Sequence, residues 1–267
     1  MKFYITLVLL FSSWFVMCQN STASKQVSSF TIDAPQLNKT KKIWVYLPKN
    51  YSTSDKKYPV IYMHDGQNLF DAKTASFGEW NVDETLDSIN AQVIVIGIEH
   101  GGDKRIDELT PFKNEKYGGG KANNYLEFIV STLKPFVDKT YRTKSNANNT
   151  ALIGSSIGGL VSFYGALKYP NVFGKVGCFS PAFWINRKEI TELMQNTKSF
   201  KTRVYFLCGD KEGNDDDMIN DLKSIEYLVN TKRCECKKLN KKVIVNGGQH
   251  NEKLWREGFK KAYLWLF

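Results

Sequence analysis

Two hydrophobic patterns occur along the chain, and they predict two kinds of strand. Ser28-Ser29-Phe30-Thr31-Ile32-Asp33 and Lys41-Lys42-Ile43-Trp44-Val45-Tyr46-Leu47-Pro48 alternate with period two, as strands do when one face is buried. They are predicted to form an antiparallel opening pair. From Tyr58 the pattern becomes continuous: Tyr58-Pro59-Val60-Ile61-Tyr62-Met63 and Val93-Ile94-Val95-Ile96-Gly97-Ile98 are unbroken apolar runs. Such runs suit parallel strands covered on both faces by helices. Further strands are predicted near 150–153, 175–179, 204–208 and 242–245. Helix-compatible stretches lie between and after them, at 79–89, 123–137, 159–169, 186–195, 216–229 and 252–267. This alternation predicts an α/β fold in three layers around a mostly parallel sheet. No internal repeat, linker or break in composition divides 19–267, which reads as one domain.

The strand at 150–153 runs straight into Gly154-Ser155-Ser156-Ile157-Gly158, with a helical segment directly behind it. Strand, Gly-x-Ser-x-Gly and helix together are the context of a nucleophile elbow, in which a strained turn holds the serine hydroxyl above the carboxyl edge of the sheet. Gly154 and Gly158 are expected to let strand and helix approach. The helix amino terminus beneath Ser156 would favour developing negative charge.

Composition adds an address and removes some function classes. At 267 residues, 42% hydrophobic and 13% aromatic, the chain can bury a large core. Lys2 precedes an apolar run from 3 to 18 that ends at Gln19-Asn20-Ser21-Thr22. This reads as a secretory signal cleaved after Cys18, and so predicts a secreted or periplasmic protein. The alternatives are a membrane anchor, for which the run falls short of the ~20 residues of a spanning helix, and a lipid on Cys18. Cys178 and Cys208 sit in apolar runs and are expected to be small core residues. Cys234-Glu235-Cys236 is too tight to close on itself and lacks the spacing of a zinc site. The formal charge is +10, or +9 without Lys2. The lysines are scattered, however, and the cluster at 232–242 has no interleaved aromatics, so a nucleic-acid partner is not expected.

A serine hydroxyl attacks only when a base takes its proton, and that base needs a carboxylate to orient it. Of the three histidines, His250 follows the last strand through Asn246-Gly247-Gly248-Gln249, giving the order nucleophile, acid, histidine used by this elbow architecture. The acid should follow the strand ending at Cys208. Asp215, Asp216 and Asp217 there suit a helix start, which leaves Asp210 and Glu212 unresolved. Two oxyanion donors are also needed: the Ile157 N–H, and one from the loop His64-Asp65-Gly66-Gln67, where Gln67 N–H is the choice. His64 and Asp65 are read as braces for that loop.

These pieces, with Phe179-Ser180-Pro181-Ala182-Phe183-Trp184 and Cys208-Gly209-Asp210-Lys211-Glu212, resemble the esterase branch of the α/β-hydrolases. That branch includes enterochelin, feruloyl and acetyl-xylan esterases. The resemblance spans about residues 28–267 and implies the three-layer α/β-hydrolase fold and an ester hydrolase without metal or cofactor. It also implies Glu212 as the acid and Gln67 as the second oxyanion donor. The substrate implied is a small-molecule or polysaccharide-linked ester, of feruloyl or acetyl type, with a siderophore trilactone as the alternative. Trp80, Phe183 and Trp184 are candidate aromatic walls. Arg105 is read either as paired with Glu108 or as a holder of an anionic substrate group. The rival from another class is a binding protein on a retired hydrolase scaffold.

Overall fold

The two alternating segments form β1 (Val27–Ala34) and β2 (Lys39–Tyr46), paired antiparallel with Phe30 opposite Ile43. The computed structural model describes residues 20–213, 217–232 and 239–267. The predicted leader with Cys18, Asp215 and Asp216, and the Cys234-Glu235-Cys236 stretch within the lysine-rich segment lie outside these residues. The continuous apolar runs form β3 (Val60–His64), β4 (Ile94–Ile98), and, beyond a two-residue ladder of β5 (Lys113–Asn114) with β6 (Gly118–Gly119), β7 (Thr150–Ser155). β8 (Lys175–Phe179), β9 (Arg203–Gly209) and β10 (Asn240–Val245) complete the set. Eight strands make one sheet in the order β1-β2-β4-β3-β7-β8-β9-β10. β2 runs antiparallel to β1 and β4, and the pairings from β4 through β10 are parallel.

Every residue of β3, β4 and β7 is buried, which is why their sequences do not alternate. Successive side chains serve opposite faces instead. Val60 and Tyr62 join a core with Leu126, Phe163 and Phe206, whereas Ile61 and Met63 join a second core with Leu86, Trp255 and Phe259. The first core lies under α3 (Ala122–Phe128), α5 (Ile157–Lys168), α6 (Arg187–Asn196) and α7 (Asp217–Thr231); the second lies under α1 (Val82–Ser88) and α8 (Glu252–Leu266). This is the three-layer α/β arrangement expected. Cys178 and Cys208 are buried within the first core, and burial pushes the Cys208 thiol up to about 12, so both behave as inert core residues. Among the described residues no helix is long and apolar enough to cross a membrane.

Three helical segments differ from expectation. The helix predicted at 123–137 is α3, a π turn (Ile129–Leu133) and α4 (Lys134–Thr140). Pro135 has no amide hydrogen and its ring collides with the carbonyl four residues back, at Ser131, so the chain widens there. α1 starts at Val82 rather than 79 because Asn81 sits in the left-handed region, φ 50°. A five-residue helix, α2 (Arg105–Leu109), occupies a stretch where no helix was predicted.

Candidate active site

Ser156 joins β7 to α5 with φ 56° and ψ −124°, a conformation that costs a non-glycine residue about 1–3 kcal/mol. The surroundings hold it there. Its N–H donates to Phe179 O at 2.9 Å, and its carbonyl accepts from Leu160 N–H at 3.1 Å and Ala182 N–H at 3.0 Å. A Cβ on Gly154 would stand 2.8 Å from the Gly158 backbone and from His64 Cδ2, so this position must be glycine. Gly158 itself would accept a Cβ at ordinary contact distance, 3.4 Å from His64 Cβ. The demand for smallness therefore falls on Gly154 alone of the two.

Four loops at the carboxyl ends of strands converge beside Ser156, where ligands bind in open α/β sheets. After β9, the Glu212 carboxylate lies almost wholly out of water and meets His250 Nδ1 through Oε2 at 3.0 Å. Its other oxygen, Oε1, accepts from Ser180 Oγ–H at 2.6 Å and Gly209 N–H at 2.5 Å. Ser180 Oγ in turn accepts from Trp255 Nε1–H at 2.8 Å. A one-way chain of donors thus fixes the carboxylate, and the carboxylate fixes the imidazole. Asp210, the other carboxylate left open by the sequence, instead accepts Gly247 N–H at 2.7 Å. The loops of acid and histidine also touch along their backbones: Lys211 N–H donates to Gly248 O at 2.8 Å, and a Cβ on Gly209 would fall 2.1 Å from that same oxygen.

Gln67 stands in the turn after β3, and Ile157 opens α5, where the first N–H groups have no partner within the helix. The turn is braced at both ends. Asp65 receives Arg105 Nε at 2.6 Å and Nη2 at 2.7 Å. Burial pushes its carboxyl up, but the guanidinium charge and its hydrogen bonds outweigh this and hold it below the usual range. Glu108 pairs with Lys39 and Lys41, so the expected Arg105–Glu108 pair is replaced by Arg105–Asp65. His64 is buried between Tyr125 Oη, 2.8 Å from Nδ1, and Ser162 Oγ, 3.1 Å from Nε2. Ser162 spends its proton on Gly158 O, so His64 Nε2 carries the hydrogen and Nδ1 accepts from the tyrosine.

Burial lowers the His64 imidazole to about 4 from 6.5. Between those values the unfolded chain binds a proton and the folded chain does not. Stability from this residue is therefore complete above pH 6.5 and is lost as pH falls towards 4, by about 3 kcal/mol at 1.36 kcal/mol per pH unit. Urea unfolding of wild type and His64→Gln at pH 7, 5.5 and 4.5 should show a shallower pH dependence in the variant. Parallel pH profiles would refute this account of His64.

Ser156 and His250 line one cavity of about 240 Å³, with Arg105, Trp80, Trp255 and Phe77. Trp80 packs edge-on to Phe179 at 5.1 Å and against Trp255 at 5.8 Å, so it is at once core and cavity lining. Trp255 also stands perpendicular to the His250 ring, with centroids 5.2 Å apart.

Residues 34–266 match the model of the family described as Putative esterase. The chain belongs to this esterase family. It is 28% identical over 239 residues to YbbA of Bacillus subtilis, covering 84% of this chain and 91% of that one. It is 26% identical over 236 residues to an endo-1,4-beta-xylanase/feruloyl esterase of Xylanibacter ruminicola, covering 84% of this chain and 29% of that longer protein. The fold also superimposes on the enterobactin esterase FES of Shigella flexneri with a TM-score of 0.70 at 16% identity, covering 92% of this chain and 60% of that one.

In this esterase two of the expected aromatic walls lie elsewhere. Phe183 is 0% exposed and packs edge-on to Phe163 at 5.3 Å in the first core. Trp184 packs edge-on to Tyr117 at the surface, 5.4 Å away, outside the cavity lining. Their places are taken by Phe77, 82% exposed at the rim, and Trp255. Phe77 lies three residues before Trp80 in a Gly-interrupted segment, a loop signal that could have found it. Ser180 and Trp255 needed the sheet order: Ser180 directly follows β8, next to β9 and its Glu212 loop, and the Phe179–Trp184 segment that carries the family resemblance does not say what its hydroxyl meets.

Proposed function

We propose that the protein is an exported serine esterase that works through an acyl-enzyme. In this reading Ser156 attacks the ester carbonyl, His250 takes and returns the proton, and Glu212 holds the imidazole with its hydrogen on Nδ1. The N–H groups of Ile157 and Gln67 receive the oxyanion. The observation that carries the reading is the Glu212–His250 pair on the same small cavity as a serine in the strained elbow.

For the substrate we favour an ester of a single aromatic acid, or of an acetyl group, carried on a larger alcohol such as a polysaccharide. The cavity is smaller than the ~300–1,000 Å³ common for drug-sized ligands, so it suits one ring or acyl group with the alcohol outside. Trp80, Trp255 and Phe77 offer ring faces, and Arg105 and Glu252 offer polar contacts beside them. Likeness to a feruloyl esterase supports this choice, and likeness to an enterobactin esterase keeps the siderophore trilactone as the second reading.

Two measurements test the proposal. A fluorophosphonate probe should add to Ser156, and the absence of an adduct would favour a binding protein. Methyl ferulate or acetylated xylan should then outpace ferric enterobactin in turnover. Preference for the siderophore would select the second reading, and weak rates on all three would refute both.

A further inference from the structure

The segment leading into α1 gathers three carboxylates behind the cavity wall. Glu79 is 6% exposed and Asp83 0%, with Glu84 beside them. One carboxylate oxygen from each lies within 4.8 Å of one from both of the others. Moreover, Glu79 Oε1, Asp83 Oδ1 and Glu84 Oε2 are all shut off from water, as is Ser24 Oγ, and no donor group among the described residues reaches them. Ser24 belongs to the same place, since its N–H donates to Asp83 Oδ2 at 2.7 Å. Thr22 Oγ1 likewise donates to Glu79 Oε2 at 3.0 Å.

Helix-end electrostatics account for only part of this. Asp83 and Glu84 lie in the first turn of α1, where acids complement the helix dipole. Glu79 precedes the helix, and dipole complementarity supplies no hydrogen for a buried oxygen. Arg256 is the nearby cation, but its Nη1 goes to Glu79 O and Asn81 Oδ1, which are uncharged groups. Asp71 adds further negative charge alongside. A buried charge left so requires a proton or a counter-ion.

We propose that Glu79, Asp83 and Glu84 form a divalent-cation site of calcium type, which ties residues 21–24 to the loop in front of α1. The donors are all oxygen, three carboxylates with a hydroxyl at hand, and no nitrogen or sulfur ligand is offered. Such a set selects hard cations, and its irregular layout suits calcium better than the strict octahedron of magnesium. The ion is structural. Glu79 adjoins Trp80, whose ring lines the catalytic cavity, so the ion steadies that wall and takes no part in ester cleavage.

Terbium, a calcium mimic whose emission is excited through nearby tryptophan, reports on the site directly. Chelator-treated protein should show terbium luminescence that calcium competes away, and saturating calcium should raise the melting temperature by about 5 °C. Glu79→Gln combined with Glu84→Gln should weaken calcium binding at least tenfold while Ser156 still reacts with a fluorophosphonate, so failure here is distinguishable from failure of the esterase reading. No luminescence and no calcium effect on melting would overturn the proposal. So would undiminished calcium binding in the double variant, or a larger effect of magnesium than of calcium.

Discussion

Ser156→Ala is expected to lower kcat on a short p-nitrophenyl ester by about 10⁴-fold or more, leaving only what the oxyanion donors and binding can do. The variant should fold as the parent does. Alanine keeps the Cβ already accommodated at φ 56°, and the bonds from Phe179 O, Leu160 and Ala182 are to the backbone of residue 156. Activity and stability are therefore expected to separate: turnover disappears while the urea midpoint stays within the error of the parent. Full turnover in the variant would show that the attacking oxygen comes from elsewhere.

Glu212→Gln should be nearly as severe, on the order of 10⁴ in kcat with KM little changed, because it reverses a proton rather than removing a contact. Oε1 accepts two donors, Ser180 Oγ–H and Gly209 N–H, so the amide oxygen of glutamine must take that place. Its NH₂ group then faces His250 Nδ1 and donates to it. The ring hydrogen is driven to Nε2, where it blocks acceptance of the serine proton. Asp210→Asn is the matched control. Its Oδ1 can go on accepting Gly247 N–H, and kcat should change by less than tenfold. Steady-state kinetics of the two variants side by side decide the matter, and equal losses would contradict the assignment of Glu212.

Much of the fold was legible because burial on both faces writes itself into sequence. β3, β4 and β7 read as continuous apolar runs and β1, with its partly exposed residues, as a mixed one, whereas β2, read as half-buried, has Ile43, Trp44, Val45 and Tyr46 buried with side chains in both cores. The π turn was not legible, since Pro135 near a helix start and Pro135 inside a widened helix are the same letter. At the candidate site, Ser156 and His250, which line one cavity, could be singled out because a turn motif and chain order are one-dimensional properties. Local residues did not separate Asp210 from Glu212, which stand two residues apart; the family resemblance pointed to Glu212, the one that meets the His250 imidazole. Aromatic residues were the least informative. Phe183 and Phe77 offer the same ring to the reader, yet one is sealed in the core and the other stands in solvent at the cavity rim.

The backbone contact between Gly209 and Gly248, with the bond from Lys211 N–H to Gly248 O, makes the Glu212 loop and the His250 loop a single mechanical body. Thermal breathing at that edge would carry both side chains together. Such motion would change how close the imidazole comes to Ser156 while leaving the Glu212–His250 bond, and so the ring's tautomer, alone. The proton inventory is protected from fluctuation, and the reach across the cleft is the quantity left free to vary.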